Sequence, residues 1–107
     1  MSDTLLDIMH LVKEGEVRIS AHKYDEMAAD NILIRTVIAG LATAVLVEDY
    51  PDYHKGPAVL VLQYDDKGNP IHMVWGIPKG LTTPAVLVTA YRPDPNRWSS
   101  DFMRRRS

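Results

Sequence analysis

The stretch Pro84-Ala-Val-Leu-Val-Thr-Ala-Tyr-Arg-Pro-Asp-Pro-Asn-Arg-Trp98 decides the fold. Val86, Leu87, Val88, Thr89 and Tyr91 are β-branched, aromatic or large apolar residues, which fit a pleated, half-buried surface. Pro93 and Pro95 end the strand, because neither can donate to a sheet ladder. Tyr91 and Arg92, a phenol and a permanent cation, are thereby delivered to a sheet rim. On regular alternation they point to opposite faces, with Tyr91 on the side of Leu87 and Thr89.

Working outward, the residues before this strand read as two more. Ala58 to Tyr64 and Ile71 to Gly76 are apolar runs separated by Asp65-Asp-Lys-Gly-Asn69, a hairpin turn longer than the two-residue type. Ile77 to Thr83 is a second turn region, so the three strands form an antiparallel meander. The β-rich run Thr43 to Val47 adds a strand and leads into the polar loop Glu48 to Pro57, giving a sheet of about four strands.

Helices precede the sheet. Leu5, Ile8, Met9 and Val12 share one helical face, predicting a helix over about 4–14, with Thr4 and Asp7 as a capping-box-like start and Gly15 as its stop. Glu16 to Ser20 alternates polar and apolar and reads as a short strand or an extended connector. Ser20 caps a second helix to about Ala29, with Tyr24, Met27 and Ala28 on its buried side. Asp30-Asn31 is a turn, and Ile34, Val37, Ile38 and Leu41 restore helical spacing over about 34–41. Asn96 to Arg106 reads as a short helix with Trp98 and Phe102 at i, i+4. Segregated elements of this kind predict one α+β domain over 1–107, its three N-terminal helices packed on an antiparallel sheet, with a basic tail from about residue 92.

Composition narrows the function. With no cysteine, disulfides and thiolate metal sites are excluded. No apolar run approaches the roughly 20 residues that span a bilayer, and the acidic start Met1 to Asp7 differs from a signal peptide. The expectation is a cytoplasmic protein with no membrane partner. Residues 1–91 hold 7 Lys/Arg against 12 Asp/Glu, and residues 92–107 hold 5 Arg against 2 Asp. The body should not bind nucleic acid non-specifically, whereas the tail is suited to phosphates or an acidic partner. Glu48, Asp49, Asp52 and His54 cluster without the spacing of a known metal loop, and no phosphate-binding loop or dinucleotide fingerprint is present. No metal and no cofactor are expected.

Several short motifs together resemble a known family. They are Ser20-Ala-His22 followed by Met27, the helix within Ile32–Leu41, Glu48-Asp49-Tyr50, and the strand end Thr89-Ala90-Tyr91 with Arg92-Pro-Asp-Pro95 and Trp98 after it. Over about residues 16–106 this pattern resembles the DUF4258 family. Glu26 stands where the family commonly has arginine, and Leu33 where it has a small polar helix cap. The resemblance implies a layout similar to RelE-like ribonuclease folds. It further implies kinship with the toxin half of toxin–antitoxin pairs, often encoded beside a small zinc-finger antitoxin.

That resemblance frames the candidate residues. Cleaving RNA without a metal needs a base for the 2′-hydroxyl, an acid for the leaving 5′-oxygen and cations for the phosphorane charge. His22 opens a helix, whose dipole favours the neutral imidazole, and Glu26 one turn later is placed to orient it. It is a base or orienter on this reading, and an anchor of its helix to the sheet on the plainer one. His72 shares a face with Val74 and Gly76, opposite Ile71, Met73 and Trp75. It reads as an exposed strand histidine or as a group in a groove that Gly76 leaves open. Tyr91 or His72 is the acid. Arg92 clamps phosphate or pairs with Asp94 or Glu48. Arg97, Arg104, Arg105 and Arg106 are the RNA-binding tail. The expected function is a toxin-like, metal-independent endoribonuclease partnered by RNA and an antitoxin. The alternative is a non-catalytic protein-binding module, and a third reading is a small-molecule domain using a groove around His72 and Trp75.

Overall fold

The first helix, α1 (Asp3–Lys13), is capped two residues earlier than its Thr4 signal suggests. Ser2 is the cap, its Oγ accepting from the Leu5 N–H at 3.1 Å. Gly15, at φ 79°, ends the helix as expected. An isolated helix of this length is marginal in water. Burying Leu5, Ile8 and Val12 against the sheet contributes about 1.5–3 kcal/mol each and decides the matter. The computed structural model describes residues 2–106.

After α1 come β1 (Val17–Arg18), α2 (Ala21–Ala29), α3 (Ile34–Gly40), a 3₁₀ turn (Leu41–Thr43), and the strands β2 (Val45–Tyr50), β3 (Ala58–Tyr64), β4 (Pro70–Gly76) and β5 (Ala85–Tyr91). The sheet has five strands rather than about four, in the order β1-β5-β4-β3-β2. The extra strand is β1. The Glu16–Ser20 stretch had two readings, and its centre pairs parallel with β5, Val17 facing Ala85 and Arg18 facing Val86. All other pairings are antiparallel.

Ser20 caps α2 as expected, its Oγ accepting from the Lys23 N–H at 3.1 Å. Of the three residues expected on its buried side, only Met27 is buried. Tyr24 and Ala28 face solvent, because this short helix touches the sheet mainly along β5. α3 has no side-chain cap at Leu33. Its last turn is held instead by Gln63 on β3, whose Nε2 donates to the Val37 carbonyl at 3.1 Å.

α1 lies across β3, β4 and β5, and α3 packs on β3. Val59, Val61, Ile71, Met73, Trp75, Ala85 and Leu87 form the sheet's contribution to this core. Trp75 is fully buried there, so it lines no groove on the opposite face. The opposite face carries Leu60, Leu62, His72, Val74, Gly76 and Val86 by alternation, and the helices leave it to the C-terminal tail.

The tail is not the expected helix. Pro95 lies in a turn in which the Arg97 and Trp98 N–H groups both donate to the Asp94 carbonyl, at 2.9 and 3.2 Å. Phe102 then takes a left-handed conformation, φ 60°, and the chain doubles back so that Trp98 bridges Arg105 antiparallel. A helix would lose Trp98 from the sheet face, where it is only 4% exposed.

Candidate active site on the open sheet face

Two β-bulges re-aim the residues that matter. In β2, Leu46 faces Val61 but Glu48 faces Leu60, so an extra residue sits between them. Leu46 therefore points to the core, while Glu48 and Tyr50 point to the open face. In β5, Trp75 faces Leu87 but Val74 faces Thr89, with Val88 as the extra residue. Strict alternation puts Tyr91 on the side of Leu87. The bulge reverses this, sending Leu87 and Ala90 inward and Thr89 and Tyr91 outward. Tyr91 is thereby set directly opposite His72.

His72 is fully buried rather than exposed, because the tail folds over it. The Trp98 ring meets it edge-on, centroids 4.4 Å apart at 82°. Its Nε2 lies 2.8 Å from the Phe102 carbonyl and its Nδ1 3.2 Å from the Tyr91 hydroxyl. A carbonyl only accepts, so Nε2 carries the proton and Nδ1 accepts from the phenol. Burial pushes the imidazole pKa down from its ordinary 6.5, against the opposing pull of the Phe102 carbonyl. His72 is thus a neutral acceptor that fixes where the Tyr91 hydroxyl points. Burial pushes the Tyr91 phenol up from 10.0, which keeps it a proton donor at neutral pH.

Above this pair sits a charged cluster. Arg105 grips Glu48 with Nη2 at 2.8 Å and Nε at 3.4 Å, a two-point contact. Tyr50 donates to the same carboxylate at 2.6 Å. The Arg105 guanidinium also lies 4.7 Å from the Trp98 ring centre. Its hydrogen bond, helped by that of Tyr50 and opposed by partial burial, holds the Glu48 carboxyl below its ordinary 4.5. Glu48, Tyr50, Tyr91 and Arg105 share one groove of about 500 Å³ with an apolar floor that includes Leu60, Val74, Gly76 and Val86. Arg18, Tyr53 and Lys55 complete its rim.

Of the residues singled out from the sequence, His72, Tyr91 and Arg105 come together here. His22 does not. It is 79% exposed on α2, 2.5 Å from Glu26, and lines no part of this groove. Arg92 does not either, and its partner is neither Asp94 nor Glu48. It bonds Asp65 at 3.0 Å, the Pro70 carbonyl at 3.3 Å and the Asn31 carbonyl at 3.2 Å, tying the β3–β4 hairpin to the α2–α3 turn. A larger groove of about 730 Å³ surrounds it, but its three carboxylates, Asp30, Asp65 and Asp66, outnumber Arg92 and Lys67, and Arg92 is already paired with Asp65, which disfavours phosphate there. Arg97 pairs loosely with Asp94 at 3.9 Å, and Arg106 donates to the Pro95 carbonyl. Arg104 extends to solvent.

The sequence marks Glu48-Asp49-Tyr50 as a family motif, but neither Glu48 nor Tyr50 stands out there as a catalytic group. One signal was available. On strict alternation Glu48 shares a face with the apolar Leu46, an unfavourable arrangement that a bulge relieves. Among the described residues, no cluster of three His, Asp or Glu side chains is placed to hold a metal ion, and no helix is long and apolar enough to cross a membrane.

No curated protein and no solved structure matches the chain. The profile of DUF4258, a domain of unknown function, matches residues 19–92. That segment runs from the cap of α2 to the end of β5 and holds Glu48, Tyr50, His72 and Tyr91, with Arg105 beyond its end. On this match over more than half its length, the chain belongs to the DUF4258 family.

Proposed function

We propose that the protein is an endoribonuclease that cleaves RNA with its own side chains, in the manner of RelE-like toxins, from the open sheet face. The observation that carries this reading is the convergence of Glu48, Arg105 and Tyr91 in one groove. These are a base, a cation and an acid, the three roles that metal-free phosphodiester transfer requires. Glu48 takes the proton from the 2′-hydroxyl, and the 2′-oxygen attacks phosphorus. Arg105 turns from the carboxylate to the non-bridging oxygens as charge builds there. The bond to the 5′-oxygen breaks, and the Tyr91 hydroxyl, rotating off His72 Nδ1, supplies that oxygen's proton. The products are a 2′,3′-cyclic phosphate and a 5′-hydroxyl end, and exchange with water resets Glu48 and Tyr91. His72 touches no reacting atom on this scheme and is a positioning residue for Tyr91. His22 and Arg92 have no part in it.

The test is cleavage of a single-stranded oligoribonucleotide by the purified protein in the presence of a metal chelator. Cleavage that yields a cyclic phosphate, and that falls roughly 10²-fold or more in Glu48→Gln and in Arg105→Ala, is the expected result. No cleavage by the wild type, or equal cleavage by Glu48→Gln, overturns the reading.

A second reading is supported by the charge balance. With 7 Lys/Arg against 12 Asp/Glu over residues 1–91, the body repels bulk RNA. A partner-binding module, with the groove taking a protein segment, fits that balance better than a general nuclease does. An antitoxin is the partner that the toxin reading requires, and co-purification with tagged protein tests for one.

A further inference from the structure

The groove extends well past the Glu48–Arg105–Tyr91 cluster, and the cluster does not explain the extension. Its floor is the outer face of the sheet where Ala58, Gly76 and Val86 stand side by side on β3, β4 and β5. Gly76 lies between two buried neighbours and has an ordinary backbone conformation, so no turn or positive φ demands glycine there. A Cβ at this position meets only ordinary contacts, the Pro57 carbonyl oxygen at 3.4 Å, and Ala58 Cβ and Val88 Cγ2 at 3.8 Å. A side chain would therefore fit the fold and project into the groove, so glycine here keeps the floor low between Ala58 and the valines of β5. The rim carries Tyr53, 47% exposed, and one cation on each side of this floor, Lys55 just before β3 and Arg18 on β1 beyond β5. Neither cation has an ion pair among the described residues, on a body whose net charge is negative.

We propose that this end of the groove is a subsite for one unpaired nucleotide of single-stranded RNA, its base lying flat on the Gly76 floor and its two flanking phosphates met by Arg18 and Lys55 from opposite sides of that floor. A planar base suits the low strip that Ala58 and Gly76 leave beside Val86 and Val88, and stacking against an aromatic rim is tolerant of sequence. Free cations beside an apolar slot complement a phosphorylated ring better than an apolar peptide. The inference deepens the ribonuclease reading and rests on it, yet it is tested by binding alone.

The experiment is an NMR titration of the full chain with each of the four nucleoside 3′-monophosphates, with inorganic phosphate and an unphosphorylated nucleoside as comparisons. At least one nucleotide is expected to shift the amides of Leu60, Gly76 and Val86, and to bind roughly tenfold more tightly than either comparison. Gly76→Val, which fills the floor, is expected to weaken that binding at least tenfold. Should that variant fold poorly, Gly76→Ala and the exposed pair Arg18→Ser/Lys55→Ser serve in its place, the latter removing the preference for the phosphorylated ligand. No shift at the floor residues, or unchanged nucleotide affinity in a folded Gly76 variant and in the rim pair, overturns the subsite and returns the groove to a protein partner. Nucleotide binding without RNA cleavage keeps the subsite and removes the nuclease. Cleavage that depends on Glu48 without floor shifts keeps the nuclease and removes the subsite.

Discussion

Glu48 and His72 are tuned in ways that pH exposes. Arg105 and Tyr50 hold the Glu48 carboxyl below 4.5, so its base form persists until the pH falls beneath that value. The acid limb of any cleavage profile is expected below pH 4.5. Tyr50→Phe removes one bond that favours the carboxylate and shifts that limb upward. Measured kcat/KM against pH for both proteins checks this. For His72 the consequence is in stability. Its folded-state pKa lies below the ordinary 6.5, so the unfolded chain binds the extra proton first as pH drops. The stability this contributes is complete above 6.5 and declines as pH falls from there toward the folded value. His72→Phe keeps the ring packing and removes the titration. Its denaturation midpoint is expected to fall less than that of the wild type between pH 7 and 5, about where the unfolded imidazole titrates.

At the scale of elements, the two bulges and the tail act together. The bulge at Val88 turns Tyr91 to the open face, and the bulge between Leu46 and Glu48 does the same for Glu48 and Tyr50. Regular strands would bury the acid and expose core residues. The tail then closes one wall of the site through Trp98, which lies on His72 and beneath Arg105. Trp98→Ala is expected to cost about 3 kcal/mol, the usual scale for a buried aromatic cut to alanine. It should also free residues 94–106 for amide exchange while β3 and β4 stay protected. A denaturant titration with hydrogen exchange reads both. If the tail stays protected, Trp98 is not what anchors it.

For the molecule as a whole, charge sets how RNA can be held. Residues 1–91 carry more acid than base, and only Arg18, Lys55 and Arg105 line the groove as cations. Neutralising about three phosphates on a single strand gives a slope of about −2 for log affinity against log salt. A tail of arginines acting together would give a steeper one. Fluorescence anisotropy of a labelled oligoribonucleotide at several salt concentrations, using Glu48→Gln to prevent cleavage, separates these cases. A slope near −2 that survives Arg104→Ala and Arg106→Ala assigns binding to the groove, about as the counterion count requires.

The sequence by itself determined the three N-terminal helices, the meander and the inward set Ile71, Met73 and Trp75. Each rests on local periodicity, a cap or a turn residue, and these act over a few positions. The motifs from Ser20 to Tyr91 were enough for the family. The site was legible only in pieces. Tyr91 and Arg92 stood out at the strand end, but which one faces a groove depended on a bulge that pairing with β4 imposes. His72 was placed on the correct face, yet its burial depended on Trp98, distant in sequence and expected on a helix. Arg105 was one arginine among several until the tail folded back and set it on Glu48. Alternation along a strand is a local property. Register, bulges and the path of a tail are settled by what lies on the neighbouring strand, which tertiary structure alone decides.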